Sequence, residues 1–145
     1  MSRTQLRIRT WLNVARTISA LGTCARRKVG CILLDEHNRV LATGYNGPAQ
    51  GQPHCIDHPC GGAKLSPGQG LDLCEAIHAE QNALIQCSDA TKIVTAYCTA
   101  SPCIFCVKML LNTSCRRIYY YEDYPHEEPR RLWTSSGRDW IKVDE

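Results

Sequence analysis

The chain has 145 residues, 43% of them apolar and 21% charged, which suits one compact domain able to bury a core and excludes a disordered segment or a multidomain machine. No stretch approaches the roughly 18 consecutive apolar residues of a membrane span, and no apolar run follows a basic start as a secretory signal would. Ten cysteines are dense for this length; with nothing pointing to an oxidising compartment, they read first as metal ligands in a soluble, cytoplasmic protein.

The net charge of +3 is unevenly spread, because residues 1–30 carry seven basic side chains (Arg3, Arg7, Arg9, Arg16, Arg26, Arg27 and Lys28) and no acidic one. Such an opening suits a transit segment, a nucleic-acid patch or a local anion site. The first of these fits poorly with a helix that runs straight into a strand a domain would need. The Arg26-Arg27-Lys28 cluster reads equally as a phosphate site or a solvated turn.

Ile8, Trp11, Leu12, Ala15 and Ile18 recur at helical spacing and predict an amphipathic helix over about 4–21, ending near Gly22. Val29–Leu34 and Arg39–Thr43 are β-rich runs separated by Asp35-Glu-His-Asn38, and they predict a hairpin. From Gly44 to Gly70 the chain is rich in glycine and proline, with histidines and cysteines among them; a loop that long is usually functional or clamped by metal. Beyond it, a helix is expected over about 75–87, a buried strand over Ile93–Cys98 and a helix over about 103–112, capped by Ser101 with Pro102 in its first turn. A strand over Arg117–Tyr121, a helix over about 126–136 and a terminal strand over Trp140–Val143 complete the chain. Helices alternating with strands argue for a layered α/β sheet covered on both faces.

The chemistry concentrates in His78-Ala79-Glu80 at a helix start and Pro102-Cys103-Ile104-Phe105-Cys106 after a strand. Cysteines three apart in a first helical turn point the same way, and the positive helix end favours the thiolates that bind metal. With His78 as third ligand, Zn2+ keeps an open position for water, the mark of a catalytic site. Glu80, two residues from His78, lies close enough to move that water's proton without having to bind the metal. H-x-E followed by P-C-x-x-C is the signature of zinc nucleobase deaminases.

More of the chain fits one branch of that superfamily. Thr23-Cys24, Val29-Gly30, Gly44-Tyr45-Asn46-Gly47, His78-Ala-Glu-Gln-Asn-Ala83, Ser101-Pro-Cys-x-x-Cys106 and Tyr119 to Tyr124 together resemble the deoxycytidylate (dCMP) deaminases of the zinc-dependent cytidine/deoxycytidylate deaminase superfamily, including viral and phage members. The resemblance runs from about Trp11 to Val143, and Gly-Tyr-Asn-Gly is its most branch-specific piece. It implies a single deaminase domain over 1–145, a three-layer α/β/α sandwich with a central mixed five-stranded sheet, and a loop insertion at about 46–74 clamped by zinc. It further implies hydrolytic attack at C4 of cytosine, with Glu80 protonating N3 and then helping ammonia leave, so that dCMP becomes dUMP for thymidylate synthesis. Asn46 is similar in place to the residue holding the deoxyribose hydroxyl, the Ala79 backbone should meet the base, and the Ser101 carbonyl should accept from the amine. Arg26, Arg27, Tyr121 and Tyr124 are the phosphate candidates; Tyr119 to Tyr121 must alternate along a strand, so core and site stay open for them.

Cys24, Cys55, Cys60 and Cys74 match the positions of a second, structural zinc found in some members, with His54 or His58 able to replace one thiol; small buried thiols are the alternative. Cys31, Cys87, Cys98 and Cys115 sit in apolar contexts and read as core. Many members are homohexamers switched on by dCTP and off by dTTP, which would involve Asn46, Gly47, Asp57 and Asn82 here, although Gln86 and Asp89 depart from the usual pattern and an acid near a triphosphate repels it. Two other readings stay open: a deaminase acting on dCTP, another cytosine or adenine compound or a nucleic-acid base, and a silent zinc-stabilised nucleotide-binding module. The retained Glu80 opposes the silent module, and the absence of a long basic tail opposes nucleic acid as partner.

Overall fold

The computed structural model describes residues 1–145. Helix α1 spans Arg3–Ser19, the hairpin strands β1 and β2 span Gly30–Leu34 and Val40–Tyr45, and helix α2 spans Ala79–Gln86. Strand β3 (Thr95–Ala100), helix α3 (Ile104–Leu111), strand β4 (Arg117–Glu122), helix α4 (Glu128–Ser135) and strand β5 (Asp139–Lys142) follow. No helix is long and apolar enough to cross a membrane.

The five strands form one mixed sheet in the order β2-β1-β3-β4-β5. Strand β1 is antiparallel to both neighbours, whereas β3, β4 and β5 are mutually parallel, so every strand except β1 runs the same way. The period-2 alternation of a strand divides its side chains between two cores. Cys31, Leu33, Ala96, Cys98, Ile118 and Tyr120 join Ala79, Ala83, Val107, Leu110 and Trp133 on the face covered by α2, α3 and α4. Ile32, Leu34, Tyr97 and Tyr121 meet Leu12 and Ala15 of α1 on the other. The outcome is the expected three-layer sandwich.

Local chemistry explains most boundaries. Ser2 caps α1 reciprocally with Gln5: the Gln5 N–H donates to the Ser2 hydroxyl at 3.1 Å and the Ser2 N–H to the Gln5 side chain at 2.8 Å. In the β1–β2 turn, the Asp35 carboxylate accepts from the His37 and Arg39 N–H groups at 2.8 and 3.0 Å, and Asn38 takes the left-handed conformation at φ 59°.

Two expectations are corrected. The helix expected from about 75 begins only at Ala79, because Ile77 pairs with Gly47 as an isolated antiparallel bridge, which holds the chain extended up to His78. The cap of α3 is Cys103 rather than Ser101. The Ser101 hydroxyl instead accepts from the Tyr124 N–H at 2.7 Å, tying the end of β3 to the loop after β4.

Close backbone approach sets where α2 lies. A Cβ on Gly44 of β2 would collide with the Ala79 carbonyl and stand 2.5 Å from the Ala83 nitrogen, both main-chain atoms of α2. Glycine there lets the first turn of α2 rest directly on the sheet. We expect Gly44→Ala to lower stability by about 1–3 kcal/mol, as overpacking does, and to weaken metal retention by shifting His78. Urea unfolding and metal analysis read both; a wild-type midpoint with full metal content would show that α2 tolerates displacement.

Candidate active site

Strands β2, β3 and β4 all end at the same edge of the sheet, and the first turns of α2 and α3 lie over that edge. This is the crevice outside strand carboxyl ends where α/β sheets receive ligands. His78 is the N-cap of α2; Cys103 is the N-cap of α3, with Cys106 one turn on. Gln81 fixes the His78 backbone by accepting its N–H at 2.8 Å. The His78 Nδ1 stands 3.3 Å from the Sγ atoms of both Cys103 and Cys106, and this is the group of three metal-capable side chains whose ligand atoms lie within 4.8 Å of one another. Separations near 3.3 Å suit a tetrahedral ion bound at about 2.0–2.3 Å, so the donor set fits Zn2+ with a fourth position free.

The electrostatics agree with that chemistry. Cys103 is drawn down to about 4, first by the hydrogen bond from the Cys106 thiol and then by His78, against the opposing effect of burial. His78 is correspondingly raised by its contact with Cys103. Both helix N-termini aim their positive ends at the same point, which favours thiolate over thiol. Glu80, only 4% exposed, sits in the first turn of α2. Desolvation raises its pKa, with the Cys106 thiol and His78 pulling the other way. A carboxyl whose protonated form is favoured by burial in this way is suited to take up and release a proton beside the three ligands.

The pocket at these groups is also lined by Arg26, Arg27, Val29, Asn46, Ala79, Ala100, Ser101 and Tyr124, and by Pro67, Gly68 and Leu71 from the long loop. Asn46 is buried and braces its wall: its Oδ1 accepts from the Val29 N–H at 2.8 Å, and its Nδ2 donates to the Arg27 carbonyl at 2.6 Å. Arg27 Nη1 and the Tyr124 hydroxyl are buried without a hydrogen-bond partner. Two orphaned donors at one pocket cost stability of about 1–3 kcal/mol each unless a ligand accepts from them. Glu122, 3.6 Å from Arg27 Nη2, holds the guanidinium in place.

Other sequence candidates fall elsewhere. Arg26 lines the pocket but gives Nη1 to the carbonyls of Ser66 and Gln69, at 3.0 and 2.6 Å. Tyr121 lies on the α1 face, where its hydroxyl donates to Asn13 at 3.0 Å and Arg16 stacks over its ring at 4.5 Å. Cys55 and Cys60 approach to 3.7 Å and share a small cavity with Cys24, His58 and Glu75. Cys24 is lowered to about 6 by Cys74, which is itself pushed up to about 12; the four thiols stand as two pairs and are not drawn together as closely as His78, Cys103 and Cys106. The His54 ring meets the Thr23 hydroxyl at 2.9 Å. Asn82 donates to the Tyr45 carbonyl at 2.9 Å, Gly47 bridges Ile77, and the Asp57 N–H bonds the His54 carbonyl in the exposed loop. Sequence reasoning missed Pro67, Gly68 and Leu71 above the pocket. The Pro-Gly pair signals a turn, and no local pattern says what a turn covers.

Known proteins share this arrangement. Residues 4–122 match the family model described as the cytidine and deoxycytidylate deaminase zinc-binding region. The deoxycytidylate deaminase of Mycobacterium phage D29 is 33% identical over 116 residues, covering 76% of this chain and 90% of the phage protein. That of Schizosaccharomyces pombe is 32% identical over 118 residues, 79% of this chain, but the chain spans only 36% of the yeast protein's length. The crystal structure of the apo dCMP deaminase from cyanophage S-TIM5 superposes with a TM-score of 0.74 at 25% identity, covering 99% of this chain and all of that one. With its zinc-ligand signature intact and its length matched almost throughout, the chain belongs to the cytidine and deoxycytidylate deaminase family.

Proposed function

We propose that residues 1–145 act as one zinc-dependent deaminase domain that hydrolyses dCMP to dUMP and ammonia, supplying dUMP for thymidylate synthesis in the cytoplasm. The observation that carries this reading is the cluster of His78, Cys103 and Cys106, of which His78 and Cys103 line one pocket together with the buried Glu80. When held by those three ligands, Zn2+ supplies a Lewis acid that brings the pKa of water near neutrality. Glu80 takes the proton of the attacking water and delivers it to N3 as C4 gains its oxygen. It then carries the second proton to the amine, the C4–N bond breaks, and ammonia leaves. The Ala79 backbone and the Ser101 carbonyl are the groups for the base, Asn46 for the deoxyribose. Arg27 Nη1 and the Tyr124 hydroxyl suit a monophosphate, which offers several acceptors at once; Arg26 adds charge beside it.

A second zinc on Cys24, Cys55, Cys60 and Cys74, with His54 or His58 as alternates, is part of the same proposal. Its support is the pairing of the four thiols around the 46–74 loop. Regulation by dCTP and dTTP would act through Asn46, Gly47, Asp57 and Asn82 at a subunit interface of a homo-oligomer, a hexamer by family resemblance. Ile85, Phe105 and Met109, exposed on α2 and α3, support self-association.

The first test is ammonia release from dCMP by the zinc-loaded protein, with and without dCTP. Turnover is expected, dCTP should raise the rate at low dCMP, and Glu80→Gln should keep zinc while losing at least about 100-fold in rate. Turnover indifferent to dCTP would remove the switch, and an active Glu80→Gln variant would remove the proton carrier. No turnover at all would move the substrate to another cytosine compound or leave a silent module.

Arg27→Ala should raise KM for dCMP by about 10–100-fold, the worth of one charge-assisted hydrogen bond, while leaving the weaker use of deoxycytidine unaltered. An equal loss on both substrates would show that Arg27 does not read the phosphate.

Metal analysis of the purified protein should give close to two zinc ions per chain, falling by one in the Cys55→Ser/Cys60→Ser variant with turnover retained. One ion in the wild type would refute the second site.

A further inference from the structure

Residues Ser66 to Gln69 form a tight turn closed by the Gln69 N–H donating to the Ser66 carbonyl at 3.0 Å. Pro67 and a left-handed Gly68, at φ +85°, occupy its centre, as a type II turn requires. Pro67 and Gly68 of the turn line the pocket, and the turn is tied down from two sides. From the segment before β1, Arg26 reaches the carbonyls of Ser66 and Gln69. From the loop after β4, His126 Nε2 lies 3.1 Å from the Gly68 carbonyl. A carbonyl only accepts, so Nε2 carries the proton.

The same imidazole meets the Tyr124 ring edge-on, with centroids 5.6 Å apart. Tyr124 is the residue whose hydroxyl is buried in the pocket without a partner. The contact is close on both sides: a Cβ on Gly68 would stand 2.7 Å from His126 Nε2 and 3.0 Å from Pro125 Cγ. His126 thus touches the cover and a pocket wall at once, and it lies outside the catalytic cluster, lining the cavity next to the site.

We propose that His126 is a positioning residue of this enzyme, strapping the Ser66–Gln69 turn over the bound nucleotide and holding the Tyr124 ring in the orientation that presents its hydroxyl. The inference rests on the dCMP reading above for its kinetic effect, and on the strap alone for its structural one. A closed cover excludes water and adds binding surface, so its loss falls on substrate affinity before it falls on the chemical step.

The test compares His126→Leu, which keeps bulk and removes the donor, with His126→Gln, whose amide reaches about as far as Nε2. In zinc-loaded protein, His126→Leu should accelerate amide exchange in residues 66–71 without altering it in α1. It should raise KM for dCMP about fivefold, the worth of one net hydrogen bond, with kcat within about twofold. His126→Gln should recover most of both effects. Gly68→Ala, whose Cβ meets both His126 and Pro125 and whose backbone is strained at φ +85°, should loosen the 66–71 segment at least as far as His126→Leu does. Unaltered exchange in His126→Leu overturns the strap even if dCMP proves not to be the substrate. Altered exchange with unaltered KM overturns the positioning role. Should the leucine variant fold poorly, His126→Gln decides alone: wild-type exchange and KM are expected, and a KM raised as far as in Gly68→Ala overturns the proposal.

Discussion

Two helices from different parts of the chain must begin within a few ångströms of each other, and the rest of the molecule is arranged around that requirement. His78 opens α2 and Cys103 opens α3, yet 25 residues and the whole of β3 separate them. Their meeting depends on main-chain packing more than on side chains. Gly44 lets α2 lie against β2, and the bridge between Gly47 and Ile77 sets the residue at which the helix begins. The parallel pairing of β3 with β4 places α3 on the same face of the sheet. Charge contributes as well: two positive helix ends converge on the thiol pair, where Cys103 is drawn down by the Cys106 thiol and His78 while Cys103 and burial hold Cys106 up.

A second constraint is the handling of polar groups in a mostly apolar pocket. Asn46 is satisfied by main-chain partners on both of its polar atoms, which makes it a brace for the loop that carries Arg27. Arg27 and Tyr124 are left with atoms that nothing in the protein satisfies. Both residues line the same pocket as Asn46, so the satisfied amide and the two unpaired groups lie on one surface.

The cluster of metal-capable side chains was legible in the sequence because it is local. His78 and Glu80 share one helical turn, Cys103 and Cys106 another, and residue type with spacing defines each. The strands and the two-sided sheet were legible for the same reason, as period-2 runs between turn residues. What failed to read were features set by long-range packing. Ser101 has the chemistry of a cap, but its hydroxyl is committed to the Tyr124 N–H across the end of the sheet. Tyr121 and Tyr120 are alike in sequence and part only because the strand turns one toward α1 and the other toward α4. Arg26 and Arg27 are neighbours of the same type, yet one is bound to the 66–69 turn and the other is free to meet a ligand. Residues that cover a site from an irregular loop carry no periodic signal at all.

The sheet edge also separates two kinds of inheritance. His78, Glu80, Cys103 and Cys106 stand at the starts of α2 and α3, rooted in the core by Ala79, Ala83, Val107 and Leu110. Everything that would judge the size and charge of what enters stands on the connecting segments around Arg27, Gly68 and Tyr124. A change confined to those segments would alter the shape and charge of the pocket while leaving the helix starts that carry His78, Glu80, Cys103 and Cys106 as they are.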